Sequence, residues 1–368
     1  MSATRSLSAA FRLPVAYTAF ALLAAAPAAA QNPAPAAAPA QQLNAPTFRF
    51  SGVVYSGYEY WMSDSLGHTN QFDLQRAYMN AIATFGPGVT TRITVDVFRP
   101  STTPSLAYRI KYAYFQWLPS LTGPVGFRFG VTQTPWLDWE ETLYGFRMQG
   151  TMPMERAGFI TSSDIGAAMD FNAKDKGLFN GTVGIYNGEG YANPPGGKFL
   201  DYEARASVRL LKTNDASPQG GLRLTGYGHL GRVDAVGGPA RNRAIGELSY
   251  KSKLFTLAGE AGIAKTGSAG TATVHPPEIS GRVLAAFGVL NVPQSNWQVL
   301  ARIDHFTPNT DVSDSTNTRF IGGVAYRISP NVRVLGDIDA ATYNQTAPLA
   351  AAVQAQKSKF LFQTEFTF

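Results

Sequence analysis

The chain reads as a succession of short segments in which apolar and polar residues alternate, separated by clusters of turn-forming residues. In "TRITVDVF", Ile93, Val95 and Val97 fall on one side and Arg92, Thr94 and Asp96 on the other. In "YEARASVRL", Tyr202, Ala204, Ala206, Val208 and Leu210 oppose Glu203, Arg205, Ser207 and Arg209. In "NVRVLGDIDA", Val332, Val334, Gly336 and Ile338 oppose Arg333, Leu335, Asp337 and Asp339. The closing "KSKFLFQTEFTF" sets Phe360, Phe362, Phe366 and Phe368 against Leu361, Gln363, Glu365 and Thr367. A period of two is that of a strand with different surroundings on its two faces. The strand and turn signals predict about sixteen such segments. They lie near 47–60, 71–85, 90–98, 108–118, 126–132, 159–171, 178–186, 202–211, 221–232, 242–251, 254–265, 278–290, 297–306, 317–328, 331–343 and 358–368.

The connections carry a parity. After even-numbered segments they are short, as in "GPGV", "SK" and "SP". After odd-numbered segments they are generally longer and more polar, as in "NGEGYANPPGGKFLD" (187–201) and "NQTAPLAAAVQAQK" (344–357). Strands with one nearly charge-free face, joined by short turns at one end and long loops at the other, are the pattern of an outer-membrane barrel, with lipid outside and water inside. A soluble all-β protein shares the alternation but has no reason to keep the parity. The fold class expected is therefore all-β: a transmembrane antiparallel barrel of about sixteen strands. An even count puts both ends of the barrel on the short-turn, periplasmic side. The last strand must pair with the first, "TFRFSGVVYSGYEYW", to leave no open edge in lipid. Phe368 and Trp297 then fall at the periplasmic rim and Tyr58, Tyr60 and Trp61 at the opposite rim, where aromatic girdles lie.

The N-terminus adds an export signal. Arg5 and Arg12 precede an apolar stretch from Leu13 to Ala25, and Ala28 and Ala30 form a small-x-small cleavage pattern. The expected organisation is a signal peptide over 1–30, an Ala/Pro-rich linker over 31–46 and a barrel over 47–368. An uncleaved anchor is the alternative, but a spanning helix needs about 20 apolar residues. Charged residues make up 15% of the chain, below the usual ~25% of soluble proteins. Removal of Arg5 and Arg12 lowers the formal net charge from +6 to about +4, a mild basic bias that export separates from nucleic-acid binding. There is no cysteine, which excludes disulfides and thiolate metal sites. The four histidines are dispersed, so neither a metal nor another cofactor is expected.

Three stretches resemble the phosphate-selective porin O and P family of bacterial outer-membrane porins: "FDLQRAYMNAIATF" (72–85), "FRFGVTQTPWLDWEE" (127–141) and "GIYNGEGY" (184–191). The first resembles that family's second strand with its arginine, here Arg76. The second resembles its fifth strand, running through Thr-Pro into a constriction loop. The ending on Phe366 and Phe368 resembles the assembly signal of the wider porin class. The resemblance implies a homotrimeric sixteen-stranded porin inserted by the barrel-assembly machinery. Three features depart from the family. Gln75-Arg76 stands where Arg is often doubled, the linker replaces an N-terminal coiled coil, and no dense lysine cluster is visible. Phosphate selectivity is therefore not carried over.

A sixteen-stranded barrel is too wide to discriminate by itself. The longest connection, about 133–158, is the candidate constriction loop. Its Asp138, Glu140 and Glu141 sit near the start of a short predicted helix, which suits the helix dipole, and Arg147 follows. The alternative is an extracellular lid with solvated acids. Strand parity puts Lys111, Arg128, Arg205, Arg282 and Arg302 in the lumen, with Asp96, Glu247, Glu260 and Asp337 among them. For each arginine the alternative is a rim residue contacting lipopolysaccharide phosphate or a neighbouring carboxylate. The second segment has ambiguous parity, so Arg76 receives no direction. Arg49, Arg92, Arg209, Arg223, Arg327 and Arg333 fall near short-turn ends and predict a cationic periplasmic vestibule with a mild preference for anions.

The expected function is passive diffusion of small hydrophilic or anionic solutes, without enzymatic activity, in a barrel surrounded by outer-membrane lipid and lipopolysaccharide. Two alternatives stay in view. A barrel hydrolase needs a nucleophile with a histidine base or an Asp-His pair. His68 and His275 fall in loops and His229 and His305 in strands, and Asp304 and His305 point to opposite faces, so all four read as isolated histidines. A structural or adhesive barrel would plug its lumen, which the charged inward face opposes.

Overall fold

A computed structural model describes residues 45–62, 70–100, 105–172, 177–193, 196–233, 238–267, 278–313, 315–345 and 357–368. The expected signal peptide, nearly all of the linker, His68 and His275 lie outside the described residues.

Sixteen strands form. They are β1 (Thr47–Trp61), β2 (Asn70–Gly86), β3 (Val89–Phe98), β4 (Ala107–Trp117), β5 (Val125–Gln133), β6 (Ser163–Asn172), β7 (Phe179–Tyr186) and β8 (Asp201–Leu211). There follow β9 (Gly221–Leu230), β10 (Arg241–Lys251), β11 (Phe255–Thr266), β12 (Ile279–Asn291), β13 (Trp297–Thr307), β14 (Ser315–Ser329), β15 (Val332–Gln345) and β16 (Ser358–Thr367). Each pairs with its sequence neighbours, and β16 pairs antiparallel with β1, so the sheet closes into a barrel. Every expected segment is present. The largest departure is at β6, expected from 159 but starting at Ser163. Residues 159–162 belong instead to the preceding connection: the Phe159 ring packs edge-on against Phe306 at 5.6 Å, and the Thr134 amide donates to the Ser162 carbonyl at 3.2 Å.

The facing inverts that of a soluble protein. On β8, Tyr202, Ala204, Ala206 and Val208 are exposed while Glu203, Arg205 and Ser207 are buried. Phe72 is 85% and Tyr108 80% exposed. A sandwich in water would bury that set, whereas a lipid-facing wall presents it outward. At the short-turn end Trp117 stacks on Phe127 at 5.8 Å and Trp297 packs on Tyr326 at 4.7 Å.

Besides register shifts next to three of the short turns, two bulges within the strands break the alternation. Tyr55 pairs with Arg76 but Ser56 pairs with Leu74, leaving Gln75 as the extra residue. Thr94 pairs with Tyr112 but Val95 with Ile110, leaving Lys111 extra. A bulge lets consecutive side chains share one face. Gln75 accepts from the inward, buried Gln363 at 2.8 Å while Arg76 reaches the inward Asp96 at 3.4 Å. Lys111 and Tyr112 are likewise both buried on the inner side. The ambiguous parity of the second segment has this cause.

At the seam, the Gly52 amide donates to the Phe368 carbonyl at 2.9 Å and the Phe368 amide donates back at 3.1 Å. A Cβ at Gly52 would collide with the Phe368 ring and stand 2.8 Å from the Tyr78 carbonyl oxygen. Only glycine lets the last ring lie flat over the first strand, where it stacks with Phe366 at 5.8 Å.

The connection between β5 and β6 folds into the barrel. It carries α1 (Leu137–Tyr144), a 3-10 turn (Arg147–Gln149) and α2 (Pro153–Arg156). Trp136, Leu137, Leu143, Tyr144, Phe146, Met152 and Met154 form one apolar cluster with inward residues of β9 to β15, among them Tyr227, Ile245, Val283, Phe287, Leu300 and Leu335. The core of this protein therefore lies inside the barrel, chiefly between the connection and the wall from β9 to β15. Tyr55 of β1 and Tyr78 of β2 also join the cluster, while β3 and β4 bury the polar Thr94, Asp96 and Lys111.

Candidate functional site

α1 presents two stripes. Asp138, Glu141, Thr142 and the following Gly145 are open, at the three- and four-residue spacing of one helix face. Leu137, Trp139, Glu140, Leu143 and Tyr144 are buried. Gly145 ends the helix at φ 71°, the left-handed region favoured by glycine, and its amide donates to the Glu141 carbonyl at 2.9 Å. The three acids grouped by sequence therefore divide. Asp138 and Glu141 face the lumen, whereas Glu140 points into the wall. The Trp136 indole N–H donates to Glu140 Oε2 at 2.9 Å. Burial, followed by the neighbouring Glu260, holds the Glu140 carboxyl well above the usual carboxylate range. Beside it, the Trp139 indole N–H donates to Glu247 at 3.1 Å.

Wall arginines hold the connection by its backbone. Arg205 Nε donates to the Pro135 carbonyl at 3.1 Å, and its guanidinium lies 4.5 Å from the Trp139 ring. Arg302 grips Asp304 through two bonds of 2.7 and 2.6 Å and donates to the Thr151 carbonyl at 3.0 Å. Arg243 Nε donates to the Phe159 carbonyl at 2.7 Å. Gln363 donates to the Met148 carbonyl at 2.6 Å.

The five expected lumenal cations take different places. Arg205 and Arg302 point inward but lie beneath the connection. Arg128 points inward and is fastened to Asp170 by two bonds of 2.7 Å, with Thr132 and Gln133 at the root of the connection. Lys111 faces the open side. Arg282 is a correction: it is exposed on the outer face, and Val283, Ala285, Phe287 and Val289 are the inward set of β12. The rule that charge marks the inner face fails where the wall is covered by an apolar connection.

The expected vestibule is also redistributed. Arg49 and Arg327 are exposed and Arg209 is half-buried at the short-turn end. Arg223 is a correction, being fully buried and donating to Ser207 and to the Gly177 carbonyl. Arg333 is another, being drawn up to the Gly145 carbonyl at 2.6 Å and to Glu365 at 2.9 Å. Arg92 lies farther in, donating to Asn80 at 2.9 Å and Thr94 at 3.0 Å, with its guanidinium 4.8 Å from the Tyr112 ring.

Opposite α1, Arg76 and Arg109 share the fully buried Asp96 at 3.4 and 2.9 Å. Arg109 also stacks 4.5 Å from the Tyr191 ring. The stretches around Arg76 and Tyr191 thus meet here, facing the stretch that carries α1. Arg147 bonds Glu141 at 2.7 Å and Glu155 at 3.5 Å. Two cavities of about 310 and 360 Å3 share Tyr55 and Arg147 as borders. The first holds Arg92, Lys111, Asp138 and Glu141; the second holds Arg76, Arg156, Arg319, Asp339 and Lys359.

Sequence reasoning passed over several of these residues. Arg109 shares the parity of Lys111 and was within reach of that argument. Tyr112 and Gln75 were hidden by the bulges. His229 is not isolated: Asp201 bonds its Nε2 at 2.6 Å and Arg241 at 2.9 Å. His229 Nδ1 has no partner among the described residues, so no hydroxyl stands in the place of a nucleophile. His305 bonds Thr318 through Nδ1 at 2.8 Å.

No family model and no curated protein matches the chain. Among solved structures, OmpT, an outer-membrane protein of Vibrio cholerae, aligns with a TM-score of 0.59 at 14% identity, covering 89% of this chain and 99% of its own. The outer-membrane channel DcaP of Acinetobacter baumannii aligns with a TM-score of 0.59 at 9% identity, over 88% and 98%. OmpF of Salmonella typhi, solved with daunomycin, gives 0.59 at 10% identity, over 87% and 97%. At these identities the likeness is one of fold: the closed sixteen-stranded antiparallel barrel is shared almost end to end.

Proposed function

We propose that this protein is an outer-membrane porin, a water-filled channel for passive diffusion of small hydrophilic solutes, with the β5–β6 connection as its constriction. The observation that carries the reading is the open face of α1, with Asp138 and Glu141, set across an unfilled gap from Arg92 and Lys111, with Arg76 on the adjoining cavity. Fixed charges of opposite sign across a narrow, low-dielectric passage make a transverse field that orders water and favours small polar solutes. Cations outnumber acids on the two cavities: Arg76, Arg92, Lys111, Arg147, Arg156, Arg319 and Lys359 against Asp138, Glu141, Asp339 and Glu365. The reading therefore includes a mild preference for small anions, phosphate among them. The short-turn end faces the periplasm and the long-connection end the exterior, where exposed Arg282 meets lipopolysaccharide phosphate. The terminal Phe366 and Phe368 serve the barrel-assembly machinery. A homotrimer is the expected assembly; one of the structures sharing this fold is described as a trimer form.

Reconstitution into planar bilayers tests the proposal. Stepwise conductance in potassium chloride and a reversal potential of anion-selective sign in a salt gradient are expected. A folded, inserted protein that carries no current would overturn the channel reading.

A further inference from the structure

The cavity of about 310 Å3 beside α1 contains a charge arrangement that the protein does not complete by itself. Lys111, 3% exposed, has one side-chain hydrogen bond among the described residues, from Nζ to the Tyr78 hydroxyl at 3.2 Å. A lysine so enclosed ordinarily has a carboxylate partner. Among the described residues Arg92 bonds only neutral groups, Asn80 and Thr94. The two cations flank the Tyr112 ring, at 5.5 and 4.8 Å from its centroid. Across the cavity Asp138 is open to the lumen. Among the described residues Lys111, Arg92 and Asp138 form no ion pair, whereas the other charged groups of the lining are matched: Glu141 with Arg147, and Glu365 with Arg333.

We infer that this cavity is a binding site for a small amphoteric solute of the amino-acid class, its carboxylate between Lys111 and Arg92 and its ammonium on Asp138. The inference rests on the channel reading and deepens it by naming a solute class. A simple carboxylate would satisfy the two cations but leave Asp138 unmatched. A phosphate dianion would bring two charges beside Asp138, Glu141 and Glu365. A solute carrying both signs completes every unpaired group, each through a charge-assisted hydrogen bond. The neutral hydroxyls of Tyr78 and Thr94 leave room for water to complete the shell.

The test uses the full chain in planar bilayers. Conductance in potassium chloride is recorded first, then transient blockades during addition of 4-aminobutanoate, butanoate or butylammonium at equal concentration. Residence of 4-aminobutanoate about tenfold longer than that of either relative is expected, since one charge-assisted bond is worth about that factor. Asp138→Asn should reduce it to the value for butanoate. Lys111→Gln combined with Arg92→Gln should remove the blockades of both carboxylates, with folding checked by heat-modifiable mobility. Asp138 is exposed, so its variant reports even where the buried pair impairs assembly. Equal residence of butanoate and 4-aminobutanoate in a conducting wild-type channel, or a ratio unchanged by Asp138→Asn, overturns the site alone. Absence of conductance overturns the channel reading and this inference with it.

Discussion

Arg333 Nη2 donates to the carbonyl of Gly145 at 2.6 Å, joining the short-turn end of β15 to the point where α1 stops. The last carbonyls of a helix lack intrahelical partners and form the negative end of its dipole. A guanidinium held by Glu365 and lying 4.1 Å from the Phe146 ring meets both conditions. A residue that parity assigned to an open mouth thus acts as a clamp on the inward connection.

Removing that clamp should loosen the connection without opening the barrel. Arg333→Gln is expected to lose about 1.5–3 kcal/mol of local interaction, the range for hydrogen bonds to charged groups. Single-channel records should show more frequent sub-level transitions at unchanged thermal stability of the barrel. A noise spectrum identical to that of the wild type would count against the clamp.

The seating of α1 should depend on pH through Glu140. Its carboxyl is held high by burial and by Glu260 of β11. Glu247 of β10 also faces it, opposed by Arg302 of β13, which is itself tied to Asp304. An acid whose folded pKa is raised contributes fully below its unfolded pKa and loses that contribution as pH rises through the folded value. Stability of the seated connection should therefore be greatest on the acid side and fall as pH rises above the ordinary glutamate range. Glu140→Gln should flatten the dependence of channel noise on pH. An unaltered dependence in that variant would sink the idea.

Charge changes on the open and outer faces should separate. Arg92→Ala should shift the reversal potential toward cations, whereas Arg282→Ala should leave it unchanged, since Arg282 is exposed on the outer wall. The Arg92 shift should grow on dilution, as the Debye length rises from about 10 Å at 0.1 M to about 30 Å at 0.01 M. Equal effects of the two substitutions would falsify the facing of β12.

The seam offers a test of closure. Gly52→Val puts a branched side chain against the Phe368 ring and the Tyr78 carbonyl. Overpacking of this kind costs about 1–3 kcal/mol. Less heat-modifiable protein should accumulate, with a milder loss for Phe368→Ala, which keeps both backbone bonds to Gly52. A wild-type yield of folded Gly52→Val would contradict the described contact.

The strands were legible because lipid and lumen impose a period of two that the chain must obey everywhere. What escaped was local departure from that period. Gln75 and Lys111 sit in bulges, and one extra residue shifts every side-chain assignment beyond it. Arg282 was misassigned because the inner face of β12 is apolar, a consequence of a packed connection that the strand itself does not announce. Glu140 was grouped with Asp138 and Glu141 by nearness in sequence. A helix advances about 100° per residue, so Asp138 and Glu141 share a face and Glu140 does not. The clamp by Arg333 joins residues distant in sequence, and nothing local encodes it.

The two stripes of α1 answer to different demands. Leu137, Trp139, Leu143 and Tyr144 are buried and fill fixed volumes, so few substitutions would fit there. Asp138 and Thr142 are open to the lumen, and neither belongs to the apolar cluster. Their charge and size can be rewritten while the helix stays docked. One short helix thus keeps permeation and folding on separate residues, and an altered solute preference can arise there by single substitutions that the barrel does not register.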